Sequence, residues 1–315
     1  MTFLQRILYP FRPTESDPMS DTSAGTNTYD VAVIGCGLMG AALARNFAKQ
    51  GLKTAAWNRS PAKADALAPD GVTPVHDVAD AVAGTKLVVA CTATYDTTKA
   101  SLEGITDWTG TTLVNIGTGT PAEAEELQAW ATGRGARYID GAILCYPAQI
   151  GTDEGMILFS GSPEAWADHE QALMTTGTYS MLVSDNIRAA SVLDGAIVGG
   201  FYTAALNAYV EAATYVLSQG IDPETLNGIS DMAIQLLGGT TKECVEAIAT
   251  DNHETDSAYL GVYGEGCRAF LPVMQAAGFK ASLLETAVKN LTDAENAGFG
   301  ELGFSALTKV ARKDA

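Results

Sequence analysis

Short apolar runs alternate with helical patterns through residues 29–186 of the chain. The run Val31–Ile34 is followed by a helical pattern at 41–50, and this order of strand and helix repeats. Short continuous apolar runs between helices are typical of strands buried in a parallel sheet. The alternation predicts a doubly wound α/β sheet of the Rossmann type over residues 29–186. We predict strands at 31–34, 53–57, 86–91, 112–116, 137–143 and 156–160, and helices at 41–50, 97–102 and 122–132.

The pattern changes after residue 186, where the strands stop and nearly every segment is helical. A long helix is predicted over residues 187–219, and it is apolar on almost every face. A helix in water that lacks a polar face must be covered on all sides. We therefore expect residues 187–315 to form a long interdomain helix and an all-helical C-terminal domain, with a homodimer built on that helix. The remaining helices are predicted at 223–237, 241–249, 266–277 and 282–297.

A glycine-rich turn follows the first strand. Residues 35–40 read Gly-Cys-Gly-Leu-Met-Gly, which is a G-x-G-x-x-G motif between a strand and a helix. Its first glycine permits the tight turn, its second admits a pyrophosphate close to backbone N–H groups, and its third lets the helix pack closely on the strand. Ordinary packing of small residues is the alternative. The motif predicts a dinucleotide site made by Gly35, Gly37, Leu38, Met39 and Gly40.

The end of the second strand indicates which dinucleotide is bound. Proteins that prefer NAD usually carry an acidic residue there for the ribose 2′-hydroxyl. This chain instead has Asn58, Arg59 and Ser60, a planar cation between two hydrogen-bonding side chains. These groups match a 2′-phosphate, so NADPH is the expected cofactor. Lys63 is a further candidate for that phosphate, or an ordinary solvated lysine at a helix end.

Polar or small residues also follow the third and fourth predicted strands. Ligands of doubly wound sheets bind at the carboxyl ends of the strands. Threonine and asparagine in loops often serve only to form turns, so these positions carry less weight individually. The candidates for the nicotinamide side are Cys91, Thr92, Asn115, Gly117 and Thr118.

Composition excludes several classes of partner. A formal charge of −18 repels phosphate polymers and anionic lipid surfaces, so we expect neither nucleic acid nor membrane as a partner. The five cysteines have no C-x-x-C spacing and the three histidines have no metal-ligand spacing, so we expect free thiols in a reducing compartment and no metal. We found no run of about 20 uninterrupted apolar residues flanked like a membrane span.

The first 28 residues differ from the rest of the chain. A short apolar piece at 3–11 is interrupted by Gln5 and Arg6, and polar residues follow it. This pattern lacks the small-residue cleavage site of a signal peptide. We expect residues 1–28 to be a flexible tail, with Met19 as an alternative start, and the protein to be cytoplasmic.

The long predicted helix carries two side chains of chemical interest. Asp194 lies among apolar residues, and a carboxyl there is costly unless it is paired, hydrogen-bonded or used. Tyr202 follows eight residues later, so both side chains can face one elongated cleft. The alternative for Asp194 is an acid in the first helical turn, where the helix dipole favours it. The alternative for Tyr202 is an aromatic residue of the core or of an interface. We predict Asp194 and Tyr202 as the catalytic residues.

The absence of lysine from a long part of the chain restricts which residue can act as the catalytic acid or base. The chain has no lysine between Lys99 and Lys242. Its layout is similar to that of the 3-hydroxyacid dehydrogenase superfamily, whose members use a lysine early in the long helix. The chain resembles most the imine reductases and reductive aminases of that superfamily, in which Asp or Tyr replaces the lysine. The segments that carry this resemblance are 35–40, 57–63, 140–143, 147–151, 157–161, Asp194 with Tyr202, and 297–307.

The resemblance implies NADPH-dependent reduction of cyclic imines by a domain-swapped homodimer. It implies that Asp194 is the acid or the group that stabilises the iminium, and that Tyr202 positions the substrate. Tyr95 stands where some reductive aminases have Asn, which weakens the case for condensing an amine with a ketone. Whether Asp194 donates a proton or pairs as a carboxylate stays open. A dehydrogenase of 3-hydroxyacids and a non-catalytic NADPH-binding protein are the competing hypotheses.

Overall fold

We describe a computed structural model of the chain over residues 28–312. The predicted tail at 1–28 therefore lies almost wholly outside the described residues. The chain divides into two compact units, one ending at Ala196 and the other beginning at Ile197. The boundary predicted from sequence, between residues 186 and 187, falls ten residues earlier.

The first unit is built on an eight-stranded sheet of order β3-β2-β1-β4-β5-β6-β7-β8. All neighbouring strands are parallel except β6 and β7. This arrangement confirms the predicted doubly wound α/β fold. The strands are β1 (Val31–Ile34), β2 (Thr54–Trp57), β3 (Thr73–Pro74), β4 (Leu87–Ala90), β5 (Thr112–Asn115), β6 (Arg137–Ile143), β7 (Ile157–Gly161) and β8 (Met181–Ser184).

Helices connect the strands, except between β6 and β7, and apolar side chains pack into a core on each face of the sheet. The helix that begins at Pro121 has Thr120 as its N-cap, and Thr120 forms a reciprocal capping box with Glu123. The helices of this unit are α1 (Leu38–Lys49), α2 (Pro61–Asp65), α3 (Val78–Ala83), α4 (Tyr95–Leu102), α5 (Pro121–Thr132), α6 (Pro163–Met174) and α7 (Ala189–Leu193), with single 3-10 turns at Ala68–Asp70 and Pro147–Gln149.

Alternate residues of the central strands pack into two separate cores. Val31 and Val33 belong to the core on one face of the sheet, while Ala32 and Ile34 belong to the core on the other. All four are fully buried. A strand buried on both faces reads as a continuous apolar run, which is why these strands were recognisable from sequence.

A nine-residue π-helical stretch, Asp194–Tyr202, continues α7 and spans the boundary between the units. It holds Gly195, Gly199 and Gly200, whose low helix propensity accompanies the wider winding. The second unit continues with α8 (Thr203–Ser218), α9 (Pro223–Thr250), α10 (Leu260–Ala276), α11 (Ser282–Asn296) and a 3-10 segment at Phe304–Val310.

The second unit buries few of its own apolar side chains. Its core cluster consists of Leu260, Leu291, Ala294 and Ala306 with partly buried neighbours. Large apolar side chains on α8 and α9 stay exposed, among them Val210 at 61% and Leu236 at 72%. The continuous helix Ala189–Ser218 is also long and apolar enough to cross a membrane, with a mean hydropathy of 1.4 over its best window. Length and composition alone do not distinguish a membrane-spanning helix from a helix that a partner subunit covers.

Candidate cofactor and active site

The three glycines of the turn after β1 have different surroundings. Gly35 has φ +102°, and a Cβ there would lie 2.4 Å from the carbonyl oxygen of Cys91. A Cβ on Gly40 would lie 1.9 Å from the carbonyl oxygen of Gly35. A Cβ on Gly37 would meet no atom within 4 Å. The outer two glycines are thus required by packing, whereas Gly37 faces open space that a ligand can enter.

The first turn of α1 presents backbone donors without a competing acid. Gly37 is the N-cap, no side chain caps the helix, and the first turn contains no acidic residue. The positive end of the helix is therefore available to an anion. Leu38 is 85% exposed beside this end, whereas Met39 packs against the core.

A cavity of about 230 Å³ lies at the carboxyl ends of β1, β2 and β4. It brings together eight of the residues predicted for the cofactor, and four residues that the sequence analysis missed. Thr97 and Ser101 belong to the missed group, and their spacing of four residues on α4 places them on one helix face. The predicted residues are Gly35, Gly37, Asn58, Arg59, Ser60, Lys63, Cys91 and Thr92, and the missed ones are Trp57, Ala93, Thr97 and Ser101.

Arg59 and Lys63 supply positive charge to this cavity. Neither forms an ion pair with any residue in the range 28–312. Two cations without a partner at the end of β2 fit a phosphate monoester, which takes up several charge-assisted hydrogen bonds. The cavity thus fits a dinucleotide whose ribose carries a 2′-phosphate.

Asn58 holds the glycine turn in place. Its Oδ1 accepts a hydrogen bond from the backbone N–H of Cys36 at 2.9 Å, and its Nδ2 donates to the carbonyl of Ser60 at 3.1 Å. The side chain therefore ties the turn after β1 to the end of β2. Its role in the cavity includes shaping the loop, beyond the phosphate contact that the sequence suggested.

The two cysteines of this region are not reactive thiolates. Burial raises the pKa of Cys36 to about 11 and that of Cys91 to about 12. The charge of Lys63 opposes the rise at Cys36. Both side chains therefore stay protonated near neutral pH and contribute packing rather than nucleophilic chemistry.

The residues predicted at and just after the end of β5 lie outside the lining of this cavity. Asn115 is fully buried, and its Oδ1 accepts a hydrogen bond from Thr98 at 2.8 Å. A Cβ on Gly117 would lie 3.5 Å from the carbonyl oxygen of Thr92, and Thr118 is exposed. The Asn115 side chain thus serves the interior of the sheet, while Gly117 lies next to the residues at the end of β4.

Asp194 follows the last residue of α7 and is partly buried. Burial raises the pKa of its carboxyl. Such a shift favours the protonated form and is common where a carboxyl acts as an acid. Tyr202 closes the π-helical stretch and is 45% exposed within the second unit. Among residues 28–312, no three His, Cys, Asp or Glu side chains come together as a metal site.

Comparison with known proteins assigns the family. Residues 30–187 match the NAD binding domain of 6-phosphogluconate dehydrogenase, and residues 186–313 match the C-terminal domain of NADPH-dependent reductive aminase-like proteins. The chain belongs to the imine reductase and reductive aminase family. This confirms the resemblance drawn from the glycine turn, the Arg59 segment and Asp194.

Relatives with 26–28% identity match most of the chain. The NADPH-dependent reductive aminase of Aspergillus oryzae is 28% identical over 74% of this chain and 80% of its own length. The imine reductase of a Pseudomonas species is 26% identical, with a TM-score of 0.84 over 91% of this chain and all of its own. An imine reductase of Aspergillus terreus, solved with NADPH4 and dibenz[c,e]azepine, is 27% identical, with a TM-score of 0.83 over 90% of this chain and all of its own.

Proposed function

We propose that this protein is an NADPH-dependent imine reductase that reduces the C=N bond of cyclic imines to give amines. One observation carries the proposal. The long helix of its reductive aminase-like domain carries a partly buried carboxyl, Asp194, near its start, and the chain has no lysine between residues 99 and 242. A carboxyl can protonate or pair with an imine nitrogen, whereas relatives that act on alcohols need an ammonium group.

The cofactor cavity supports NADPH as the reductant. When bound, this dinucleotide supplies a hydride. The first turn of α1 and the open position at Gly37 receive the pyrophosphate, and Arg59 with Lys63 holds the 2′-phosphate. With a chain charge of −18, these two cations and the helix end provide the local attraction that a polyanion needs.

Asp194 is proposed as the acid. Hydride adds fastest to a protonated iminium, so the reaction needs a group that delivers or holds that proton. The raised pKa of Asp194 favours delivery of a proton to the imine nitrogen. Once ionised, the same carboxylate stabilises the iminium cation. Tyr202 is proposed to position the substrate.

The test is Asp194→Asn, which keeps the shape of the side chain and removes its acid. We expect the imine-dependent oxidation of NADPH, followed with a small cyclic imine such as a pyrroline, to fall at least about 100-fold in kcat. NADPH binding, followed by the quenching of its fluorescence, is expected to change less than about twofold. Asp185→Asn is the matched control, because Asp185 is exposed and lies outside the proposed site.

Each outcome separates the proposal from its competitors. Full turnover of Asp194→Asn removes this carboxyl from the mechanism. A wild-type protein that oxidises 3-hydroxyacids with NADP and ignores imines is a dehydrogenase. A wild-type protein that binds NADPH and consumes none with either substrate is a binding protein.

We also propose a domain-swapped homodimer in the cytoplasm. The exposed apolar side chains of the second unit support the dimer, because a stable folded chain covers such surfaces. Five free thiols support a reducing compartment. The charge of −18 supports the absence of nucleic acid and anionic membrane as partners.

A further inference from the structure

A buried hydroxyl in the seventh strand takes no part in the function proposed above. Ser160 lies in β7 between Phe159 and Gly161, and its side chain is fully buried. A hydroxyl in the interior of a sheet is costly unless it forms hydrogen bonds. The partners of Ser160 therefore indicate why a polar residue occupies this position.

The hydroxyl of Ser160 forms two hydrogen bonds with the residues that begin α7. Its Oγ donates to the carbonyl oxygen of Ile187 at 3.0 Å and accepts from the backbone N–H of Ala190 at 3.1 Å. Ala190 is the second residue of α7 and is itself fully buried. The side chain of Ser160 thus joins β7 to the first turn of this helix.

The first turn of α7 lacks the usual capping side chain. The first N–H groups of a helix have no carbonyl partner within the helix, and a polar side chain at the N-cap commonly accepts from one of them. The N-cap of α7 is Arg188, whose side chain makes no capping hydrogen bond and pairs with Glu125. Ser160 instead supplies an acceptor to this turn from a neighbouring strand.

Gly161 brings the backbone of β7 close to the same turn. A Cβ at this position would lie 3.0 Å from Cδ1 of Ile187 and 2.9 Å from the carbonyl oxygen of Tyr138. The absence of a side chain therefore lets Ile187 pack directly on the strand. The segment 157–161, one of those that carry the family resemblance, thus supports the start of α7.

The anchored turn also fixes the backbone of Asp194. The backbone N–H of Asp194 donates to the carbonyl oxygen of Ala190, whose own N–H donates to Ser160. Asp194 follows Ala190 by one helical turn, about 6 Å along the axis and on the same helix face. A single residue therefore links the hydroxyl of Ser160 to the backbone of the proposed acid, and all three residues belong to the first unit.

We propose that Ser160 is a positioning residue for imine reduction, whose hydroxyl fixes the first turn of α7 and thereby holds the carboxyl of Asp194 in place. This inference rests on the proposed function. Ser160 is not among the residues that line the cofactor cavity, so its effect on the reaction passes through the helix. Proton transfer depends on the position of the donor, and a displacement of about 1 Å can lower a rate about 100-fold.

The test compares Ser160→Ala with Ser180→Ala. Ser180 is also fully buried, and its Oγ accepts from the backbone N–H of Ile157 at 3.1 Å and lies 2.9 Å from Oγ1 of Thr176. Each variant loses one buried hydroxyl with two hydrogen bonds, so we expect their melting temperatures to fall to a similar extent. In Ser160→Ala alone, kcat for the imine is expected to fall about tenfold, while the Kd for NADPH changes less than about twofold.

Amide hydrogen exchange measures the anchor without catalysis. We expect the N–H groups of Ala190 and Asp194 to exchange at least about tenfold faster in Ser160→Ala and at the wild-type rate in Ser180→Ala. If Ser160→Ala does not fold, Ser160→Cys replaces it and Ser180→Cys becomes the control, because a thiol fills the space of the hydroxyl and is a weaker donor and acceptor. The fall in kcat for Ser160→Cys is then expected to be at least about threefold.

The outcomes separate this inference from the proposed function. A wild-type protein without imine-dependent oxidation of NADPH contradicts the proposed function, and the role of Ser160 in the reaction falls with it. An active wild type whose kcat falls equally in the Ser160 and Ser180 variants, or in neither, overturns the role of Ser160 and leaves the reductase intact. Unchanged exchange of the Ala190 N–H in the Ser160 variant overturns that role as well.

Discussion

At the scale of single residues, the glycine turn allows packing to be separated from cofactor binding. We expect Gly37→Ala to leave the free energy of unfolding of the apoprotein within about 0.5 kcal/mol of the wild type, because the new methyl group meets no atom. The same methyl group occupies the space where a pyrophosphate approaches the backbone. The Kd for NADPH, measured by fluorescence titration, is therefore expected to rise at least about tenfold.

Gly40→Ala is the matched comparison for this prediction. Its methyl group would lie 1.9 Å from the carbonyl oxygen of Gly35, so the backbone must move. We expect a loss of about 1–3 kcal/mol in the free energy of unfolding, visible as a lower melting temperature of the apoprotein. Unchanged NADPH affinity in Gly37→Ala would contradict the assignment of this turn to the pyrophosphate.

The sequence identified those site residues whose position depends only on neighbouring residues in the chain. The glycines and Arg59 lie within one short segment that consists of a strand, a turn, a helix and a second strand, so their spacing alone indicates their positions. Asn58, Asn115 and Asp140 have roles that depend on partners 17 to 45 residues away, such as the hydrogen bond from Tyr95 to Asp140. Strand order and register create these contacts, and neither can be read from composition or periodicity.

At the scale of elements, the predicted strands agree with the structure to within one residue, and two further strands, β3 and β8, were missed. The antiparallel pairing of β7 was not foreseen. A parallel partner for β6 requires a crossover helix, and the connection between them holds only a 3-10 turn. The separate helices predicted at 223–237 and 241–249 are wrong, because α9 runs unbroken through Gly238 and Gly239.

The contact between α6 and β5 has a predictable pH dependence. His169 on α6 lies with its Nε2 3.0 Å from Oγ1 of Thr112, and burial with the charge of Arg137 lowers its pKa to about 4. The unfolded chain binds this proton from about pH 6.5 downward. Stability from His169 is therefore present above pH 6.5 and lost as the pH falls through about 4.

His169→Gln keeps a hydrogen-bonding group for Thr112 and cannot titrate. Urea unfolding gives the free energy of unfolding of both proteins at pH 7 and at pH 4.5. Between these pH values we expect it to fall less in the variant than in the wild type by on the order of 1 kcal/mol, allowing for partial exposure of the ring. Burial raises the pKa of Asp140 to about 7, so this carboxyl titrates in both proteins and cancels from the comparison. Thr112→Val removes the hydrogen bond and keeps the ring, so it should lower stability at every pH with an unchanged slope.

At the scale of the whole molecule, the sequence indicated that the long helix presents apolar side chains on most of its surface. The long helix was predicted to be apolar on nearly every face, and the structure leaves Phe201, Leu206 and Val210 exposed along it. Its π-helical start was not predicted, because only the three glycines hinted at unusual winding. The sequence of a single chain contains no pattern that identifies a partner surface for these side chains.

Assembly can be tested by placing a charge on the exposed apolar face of α8. Val210→Glu introduces a carboxylate at a site that is 61% exposed in the chain alone and buried in the proposed homodimer. Burying an unpaired charge costs several kcal/mol, so we expect light scattering after size exclusion to show a dimer for the wild type and a monomer or aggregate for the variant. Tyr179→Glu, at an exposed aromatic residue of the first unit, is the control and should remain dimeric. If the wild-type protein is monomeric without detergent, the dimer is excluded. If it dissolves only in detergent and inserts into vesicles, the long helix belongs in a membrane.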